Sequence, residues 1–389
     1  MDVRAIVVLG APEESYETIA GESYALADVL GAPVVYRVLD RLKATAEINA
    51  ITVVTEAPPS TWPVGTTTAN GRGTWVQAAG DQLWRAAEQA FEDHCQNGAE
   101  QILIIRIGPY TELDFGDLIK YHTQQRHHVT AAVDTHGVPL DIYVISGSRR
   151  NDAAYLFRHR LRQFRGRFEQ YPFDGYTNRL TSPHDLRHLA VEGLMQRIQI
   201  KPEGTEIKPG VWVGRGAQIH RRSRVLSPAF IGAGCRVRAA SVITRCSSLE
   251  HHTVVDCGTV VENVSTLPFT YLGAGLDVTH SVVGRSRVWN LKRNVEVEFA
   301  DARLIGEASA NAPLRALGSL LSLASFFPAQ FLRGLFAPSH RECPASLPGA
   351  ISTPAAALEA PAALKASAPA VDAGEFPANL VVARRYGNE

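Results

Sequence analysis

Residues 207–267 read IKPGVW-VGRGAQ-IHRRSR-VLSPAF-IGAGCR-VRAASV-ITRCSS-LEHHTV-VDCGTV-VENVST-L when the chain is broken at every sixth position. The first place of each block is aliphatic throughout: Ile207, Val213, Ile219, Val225, Ile231, Val237, Ile243, Leu249, Val255, Val261 and Leu267. The fifth place is small or β-branched, from Val211, Ala217 and Ser223 through Ala229, Cys235, Ser241, Ser247, Thr253 and Thr259 to Ser265. Two inward positions in every block describe a coil with flat faces and tight corners, because each turn of chain buries its apolar side only against the next. A helix requires apolar spacing near 3.6 residues, which this period does not supply. The stretch therefore predicts a β-solenoid. Past Leu267 the register breaks at Pro268, and Leu272, Val278, Val282 and Val288 predict one or two irregular closing coils that cap the stack.

The whole chain has 389 residues, 45% of them hydrophobic, which is room for two domains and a tail. Its formal net charge is zero, so nucleic acid is not expected as a partner. The repeat is locally basic at Arg221, Arg222, Arg224, Arg236, Arg238 and Arg245, a pattern read as a solvated or subunit-facing surface. Five cysteines show no pairing or metal-binding spacing; Cys235, Cys246 and Cys257 run out of phase with the repeat and should not converge on a metal. Reduced structural thiols and a cytoplasmic location are the expectation. Ile6–Leu9 is too short an apolar run for a signal peptide, so none is expected.

Ahead of the repeat, apolar runs and amphipathic segments alternate. Ala5–Leu9 reads as a buried strand, Val34–Lys43 as a helix, Ile51–Thr55 as a strand, Leu83–Phe91 as a helix and Gln101–Ile105 as a strand. Such alternation indicates a mostly parallel α/β sheet, and ligands of such sheets sit at the carboxyl ends of the strands. The candidate ligand contacts are thus Leu9, Gly10 and Ala11 after the first strand and Gly108 after the third of these strands, with Asp114 beyond it.

The hexads, best seen in Val213-Gly-Arg-Gly-Ala217 and Ile231-Gly-Ala-Gly-Cys235, resemble the hexapeptide-repeat proteins, which implies a left-handed parallel β-helix of about three and a half coils. The segment before them resembles the sugar-1-phosphate nucleotidyltransferases, the NDP-sugar pyrophosphorylase and mannose-1-phosphate guanylyltransferase-like family that carries such a β-helix behind a Rossmann-like domain. The likeness rests on Leu26-x-x-Val-Leu-Gly31-Ala-Pro33 against L-P-V-x-G-x-P-L, on Ile51–Thr55 against a strand ending V-V-T, and on Ile104–Asp114 against a strand ending N-G-D. Ile142–Ile145 stands for G-I-Y-V-F, and Thr181-Ser-Pro183-His-Asp185-Leu for G-T-P-E-D-Y. The resemblance covers about residues 3–300 and implies nucleotide-sugar metabolism for cell-envelope or exopolysaccharide assembly.

It also implies where the chemistry should be, and there the chain departs. Nucleotidyl transfer needs backbone amides, basic side chains and carboxylate-held Mg²⁺ around the phosphates. The family loop G-G-x-G-T-R-L is here Gly10-Ala-Pro-Glu-Glu-Ser-Tyr, and the lysine before L-P-V is replaced by Ser23-Tyr24-Ala25. The two metal-binding aspartates align with Pro109 and Arg179. Eight residues separate Val133 from Ile142, too few for the family's E-K-P excursion. No catalytic residue is assigned; the expected function is a catalytically silent regulatory or scaffolding subunit. One alternative is an active divergent enzyme, requiring Mg²⁺, with Asp114, Asp117, Asp134 or Asp141 as substitute ligands. Asp114 and Asp117 also read as a helix cap and a first-turn acid. A second alternative is a hexapeptide acyltransferase using His220, His251 or His252 as general base. Tyr36, Tyr110 and His122 read as packing or surface residues.

The expected organisation is a nucleotidyltransferase-like α/β domain over 1–195, a left-handed β-helix over 196–305, an apolar helical segment over 306–340 and an Ala/Pro-rich disordered tail over 341–389. Within 313–336, Leu317, Leu320, Leu321, Ala324, Phe327, Phe331 and Leu335 recur at helical spacing around Pro328. That segment docks on the protein itself or lies peripherally in the inner membrane face, with Arg315 and Arg333 as anchors. The expected partners are a second copy or an active paralogue through the β-helix, whose outward Trp212, Val242, Val254 and Val260 would be covered, and a nucleotide-sugar ligand.

Overall fold

The computed structural model describes residues 2–10, 18–20, 22–56, 73–78, 80–161, 168–308 and 383–385. Its first part is a mixed seven-stranded sheet with helices on both faces. In chain order the elements are β1 (Val3–Leu9), α1 (Val34–Ala44), β2 (Ile48–Thr55), β3 (Gly73–Gln77), α2 (Leu83–Gln96), β4 (Gln101–Arg106), α3 (Phe115–Gln124), β5 (Val129–Val133), β6 (Pro139–Ser146), α4 (Arg150–Arg158), β7 (Glu169–Pro172) and α5 (Pro183–Leu194). Across the sheet the order is β7-β5-β6-β4-β1-β2-β3, with β6 antiparallel to both neighbours and the other pairs parallel. Central β1 and β4 are apolar on both sides because helices cover both. α1 presents Val34, Val35, Val38, Leu39 and Leu42 to the sheet, and ends where the Thr45 amide and hydroxyl turn back onto the Arg41 carbonyl. The direction of winding reverses between β1 and β4, which opens a crevice at their carboxyl ends.

The second part is β-rich, and its strands pair in parallel at offsets of eighteen residues. Val211–Val213 pairs with Ala229–Ile231 and that with Ser247–Leu249; Gln218–Ile219, Arg236–Val237 and Val254–Val255 form a second row; Arg224–Val225, Val242–Thr244 and the start of Val260–Thr266 form a third. Ile231, Ile243, Leu249, Val255 and Val261 are fully buried between levels, as the period of six requires.

Two features depart from the expected register. Ile207 is 53% exposed, because Thr205–Lys208 runs antiparallel to Val211–Val213 instead of joining the stack. Farther along, Leu249 pairs with Thr266 and Val255 with Leu272, so the offset has fallen to seventeen. The cause is a corner. Arg245 and Cys246, both at positive φ, bridge one level, whereas Asn263 alone does so at the next. Val264 is thereby drawn fully inside, and Leu267 joins the core shared with the α/β part. As expected, one more irregular coil follows Leu267, with Thr270–Leu272 and Asp277–Gly284 stacked in parallel on the level below at the offset of seventeen. Hairpins then close the stack: Arg287–Asn290 and Val295–Glu298 follow Asp277–Gly284 antiparallel, and Ile305–Glu307 runs antiparallel to Thr270–Leu272.

Of the tail expected to be disordered, Ala383–Arg385 is a strand paired with Val295–Val297. The segment 313–336 lies outside the described residues, among which no helix is long and apolar enough to cross a membrane. Cys95, Cys235 and Cys246 are free, while Cys257 is disulfide-bonded, against the expectation of reduced thiols throughout.

One face of the stack is docked on the α/β part. Phe230 and Val282, which point out of the coils, are fully buried in one cluster with Leu30, Leu186 and Leu189, and Trp212 packs against its edge. Trp212 is thus covered in part within the chain itself. Two buried polar side chains cross this contact in opposite directions. The Glu250 carboxyl, 2% exposed, accepts from the Leu30 and Gly31 amides at 2.8 Å each. From α5, Arg187 donates to Ser265 Oγ at 3.0 Å and to the Cys246 carbonyl and Asn263 Oδ1 at 2.8 Å.

Ile231→Asp buries an unpartnered carboxylate between levels at a cost on the order of 3–5 kcal/mol, and should yield little folded protein. Ile207→Asp should stay within about 0.5 kcal/mol of wild type in denaturant melts. A folded Ile231→Asp protein would contradict the stacking.

A second test concerns Glu250, whose burial, with Asp28 adding, raises its pKa from 4.5 to about 8 against the pull of the Gly31 and Leu30 amides and Arg37. The folded chain then keeps a proton that the unfolded chain releases. Its contribution to stability is full below about 4.5 and is lost as pH rises to about 8. Wild-type Tm minus that of Glu250→Gln should fall across this window; a constant difference would mean that the carboxyl is solvated.

Candidate functional site

The carboxyl edge of the sheet gathers most of the expected site. Leu9 ends β1 fully packed, and Gly10 follows it so close to α2 that a Cβ would stand 3.0 Å from Leu83 Cδ2. Ala11 lies outside the described residues. Beyond β4, a Cβ on Gly108 would meet nothing within 4 Å among the described residues. Pro109, next to it, carries no group that could bind a metal.

Charge at this edge is paired internally. Arg179 Nη2 lies 2.9 Å from Asp134 Oδ2, while Asp134 Oδ1 accepts from the His136 amide at 2.8 Å and the Val138 amide at 2.9 Å, closing the turn between β5 and β6. Burial alone would raise the Asp134 carboxyl; the Val138 amide, Arg179 and the His136 amide outweigh it and hold it below the usual range. Asp141, at φ 59, faces Arg106 Nε at 3.6 Å, each side chain only 16% exposed.

Asp114 is brought elsewhere. It caps α3, accepting from the Gly116 amide at 2.8 Å and the Asp117 amide at 3.3 Å. The first turn of α3 abuts Glu47, a Cβ on Gly116 lying 3.3 Å from its Oε2, and Glu47 immediately precedes β2. Gly10 follows β1, which runs parallel to β2 from Val3 opposite Ile48 to Leu9 opposite Thr55. Asp114 and Gly10 therefore lie at opposite ends of the sheet, about 20 Å apart along the strands.

Around Asp114 is a cleft of about 370 Å³ lined by Arg41, Glu47, Glu112, Lys120 and Gln199 among others. Its polar groups are occupied by one another: Arg41 donates to the Thr111 and Leu113 carbonyls, Lys120 pairs with Glu47 at 3.5 Å, and the Gln199 amide donates to Glu112.

The donor set does not fit Mg²⁺. That ion needs oxygen ligands in near-octahedral order, usually including one or two free carboxylates. At the two positions where the resemblance would put metal ligands stand Pro109 and the cationic Arg179. Of the substitute carboxylates, Asp134 and Asp141 are held by guanidinium groups, Asp114 by amides, and Asp117 lies 4.0 Å from Lys120. Among the described residues no three His, Cys, Asp or Glu side chains are placed to share a metal.

The coil histidines are likewise engaged. His251 Nε2 lies 3.0 Å from Asp28 Oδ2, on the hairpin Asp28–Pro33 of the α/β part, and Nδ1 lies 3.0 Å from His252 Nδ1. Phe269 packs against both rings, and the Arg222 amide donates to His220 Nδ1 at 3.1 Å. Tyr110 and His122 are buried, at 1% exposure, as packing residues.

Sequence reasoning missed Asp28, Arg187 and Glu250. Glu250 occupies the second place of its hexad, where a solvent-facing residue is expected, and nothing in the period marks it. Its partners are the amides of Leu30 and Gly31, at positive φ, which side-chain identity does not announce.

No protein-family model matches the chain, and no curated protein matches it. Among solved structures, the crystal structure of HddC from Yersinia pseudotuberculosis is similar at 15% identity and a TM-score of 0.37, over 48% of this chain and 98% of that one.

Millimolar Mg²⁺ should leave Tm unchanged, since an ion held by the folded chain would raise it by mass action. Arg179→Ala, an exposed partner, should cost less than about 1 kcal/mol in the same melts. A rise of several degrees with Mg²⁺ would mean that a carboxylate is available.

Proposed function

We propose that this chain is a catalytically silent, nucleotidyltransferase-like protein of nucleotide-sugar and cell-envelope or exopolysaccharide metabolism, acting as a regulatory or scaffolding subunit. The coils, on this reading, wind as a left-handed parallel β-helix. The observation that carries the proposal is the Arg179–Asp134 pair at 2.9 Å. At the position where the resembling family has a metal-binding aspartate, a guanidinium stands against a carboxylate, so positive charge is already supplied and no ligand is offered to a metal. Transfer of a nucleotidyl group develops negative charge on the phosphates that must be met by cations and aimed amides. An edge whose charges pair internally cannot meet it.

The space beside Gly108, where a Cβ would meet nothing within 4 Å among the described residues, supports a role in which a nucleotide sugar is bound without being made. Partners on this reading are a second copy or an active paralogue, through the coil faces left uncovered by the α/β part. The proposed location is cytoplasmic, with residues 313–336 at the inner membrane face as a further proposal. His251 gives no support to acyl transfer, because both its ring nitrogens are engaged, Nε2 with Asp28 and Nδ1 with His252.

The test is direct. Full-length protein with Mg²⁺, the common nucleoside triphosphates and a panel of sugar 1-phosphates should release no pyrophosphate above a blank. Turnover of about one per second, ordinary for an enzyme, would overturn the reading.

A further inference from the structure

Three rows of strands give the coil stack three faces, and one is taken by the α/β part through Phe230 and Val282. On the row that begins at Arg224–Val225, the inward positions are Val225, Ile243, Val261 and Val278. The residue before each points outward. Read up the stack, that outward column is Arg224, Val242, Val260 and Asp277, each the direct pairing neighbour of the next. Arg224 and Asp277 are exposed, and the two valines between them are half-buried. Among the described residues neither Arg224 nor Asp277 has an ion-pair partner, whereas Glu262 nearby is held by Arg245 at 2.7 Å.

A cation, two valines and an anion in line form a column that is its own complement when reversed. A two-fold interface requires this property, because the same patch must serve both sides. We propose that this face joins two copies of the chain about a dyad between the valine levels, with Arg224 against Asp277 of the partner subunit and Val242 against Val260 of the partner subunit. The levels are about 4.8 Å apart, so the two charges lie about 14 Å apart along the column and both pairs close at once. Leu226, 50% exposed beside the Arg224 level, extends the apolar part.

The remaining face lacks the pattern. Its outward column is Gln218, Arg236, Val254 and Tyr271, and reversal sets Arg236 against Val254. Tyr271 is moreover committed to Asp256 Oδ2 at 2.8 Å. Four levels of a flat face bury less than the roughly 800 Å² per partner of a standard interface, so the dimer is expected to be reversible at micromolar concentration. The assignment rests on the subunit reading above only in placing the contact on the coils; it is independent of catalytic silence.

Sedimentation of the full chain across about 1–100 µM should show a monomer–dimer equilibrium. Arg224→Asp and Asp277→Arg should each weaken it at least about tenfold by setting like charges opposite one another, and the double variant should recover to within about threefold. Circular dichroism should be unchanged in all three. A monomeric wild type would overturn both this face and self-association through the coils. A dimer indifferent to the single reversals would overturn this face alone, and a double variant that stays weak would overturn the Arg224–Asp277 pairing.

Discussion

A carboxyl group carried out of water needs donors already in place, and Glu250 finds them in the Leu30-Gly31 turn. Two successive residues at φ 56 and 100 turn adjacent amides toward one point, where the carboxyl oxygens accept them. Gly31 cannot be another residue here. A Cβ would lie 2.8 Å from the Glu203 Cβ and 3.2 Å from Phe230 Cζ, besides straining the positive φ. Arg187 makes the reciprocal crossing, from α5 into the corner where the coil shortens. Removing either partner of such a contact strands the other in a low dielectric, which is more costly than the contact is favourable. The pair therefore fixes the rotation and height of the stack against the sheet more than it adds stability.

Much of what surrounds this contact follows from it. Because the docked face is chosen by Glu250 and Arg187, Trp212 and Phe230 are turned toward the sheet, and the Arg224 and Gln218 rows are left uncovered. His251, next along the chain from Glu250, is brought within 3.0 Å of Asp28 on the same hairpin. A cluster that resembles an acid–base site in sequence is, in the fold, part of the clamp.

The reading of the sequence succeeded where burial repeats and failed where geometry is set at a distance. Ile231, Ile243 and Leu249 were legible because inward residues recur at a strict interval. Asn263 was not, since a period records which side chains go inside and says nothing of how many residues turn a corner; the slip shows only in Thr266 standing over Leu249. Ile207 fits the period by composition alone and has no level beneath it to pack on. In the α/β part, the strands and the Asp114 cap were legible from local pattern. Their relation was not, because Tyr110–Thr111 is carried off to pair with Thr177–Asn178, more than sixty residues later, before α3 begins. Glu250 is the plainest miss: its partners are amides, which leave no trace in side-chain identity.

The two ends of the α/β part differ in what their residues contribute. At the carboxyl edge, Arg179 is 55% exposed, and exposed ion pairs contribute about 0–1 kcal/mol. The Arg179–Asp134 pair can therefore be exchanged or lost with the fold intact. At the coil contact, by contrast, the Glu250 oxygens and both terminal nitrogens of Arg187 are held by partners out of water. Both places obey one rule. An exposed charge can change at little cost, while Glu250 on the Leu30 and Gly31 amides, and Arg187 on Ser265, Asn263 and the Cys246 carbonyl, are each kept by the cost of leaving a buried partner unpaired.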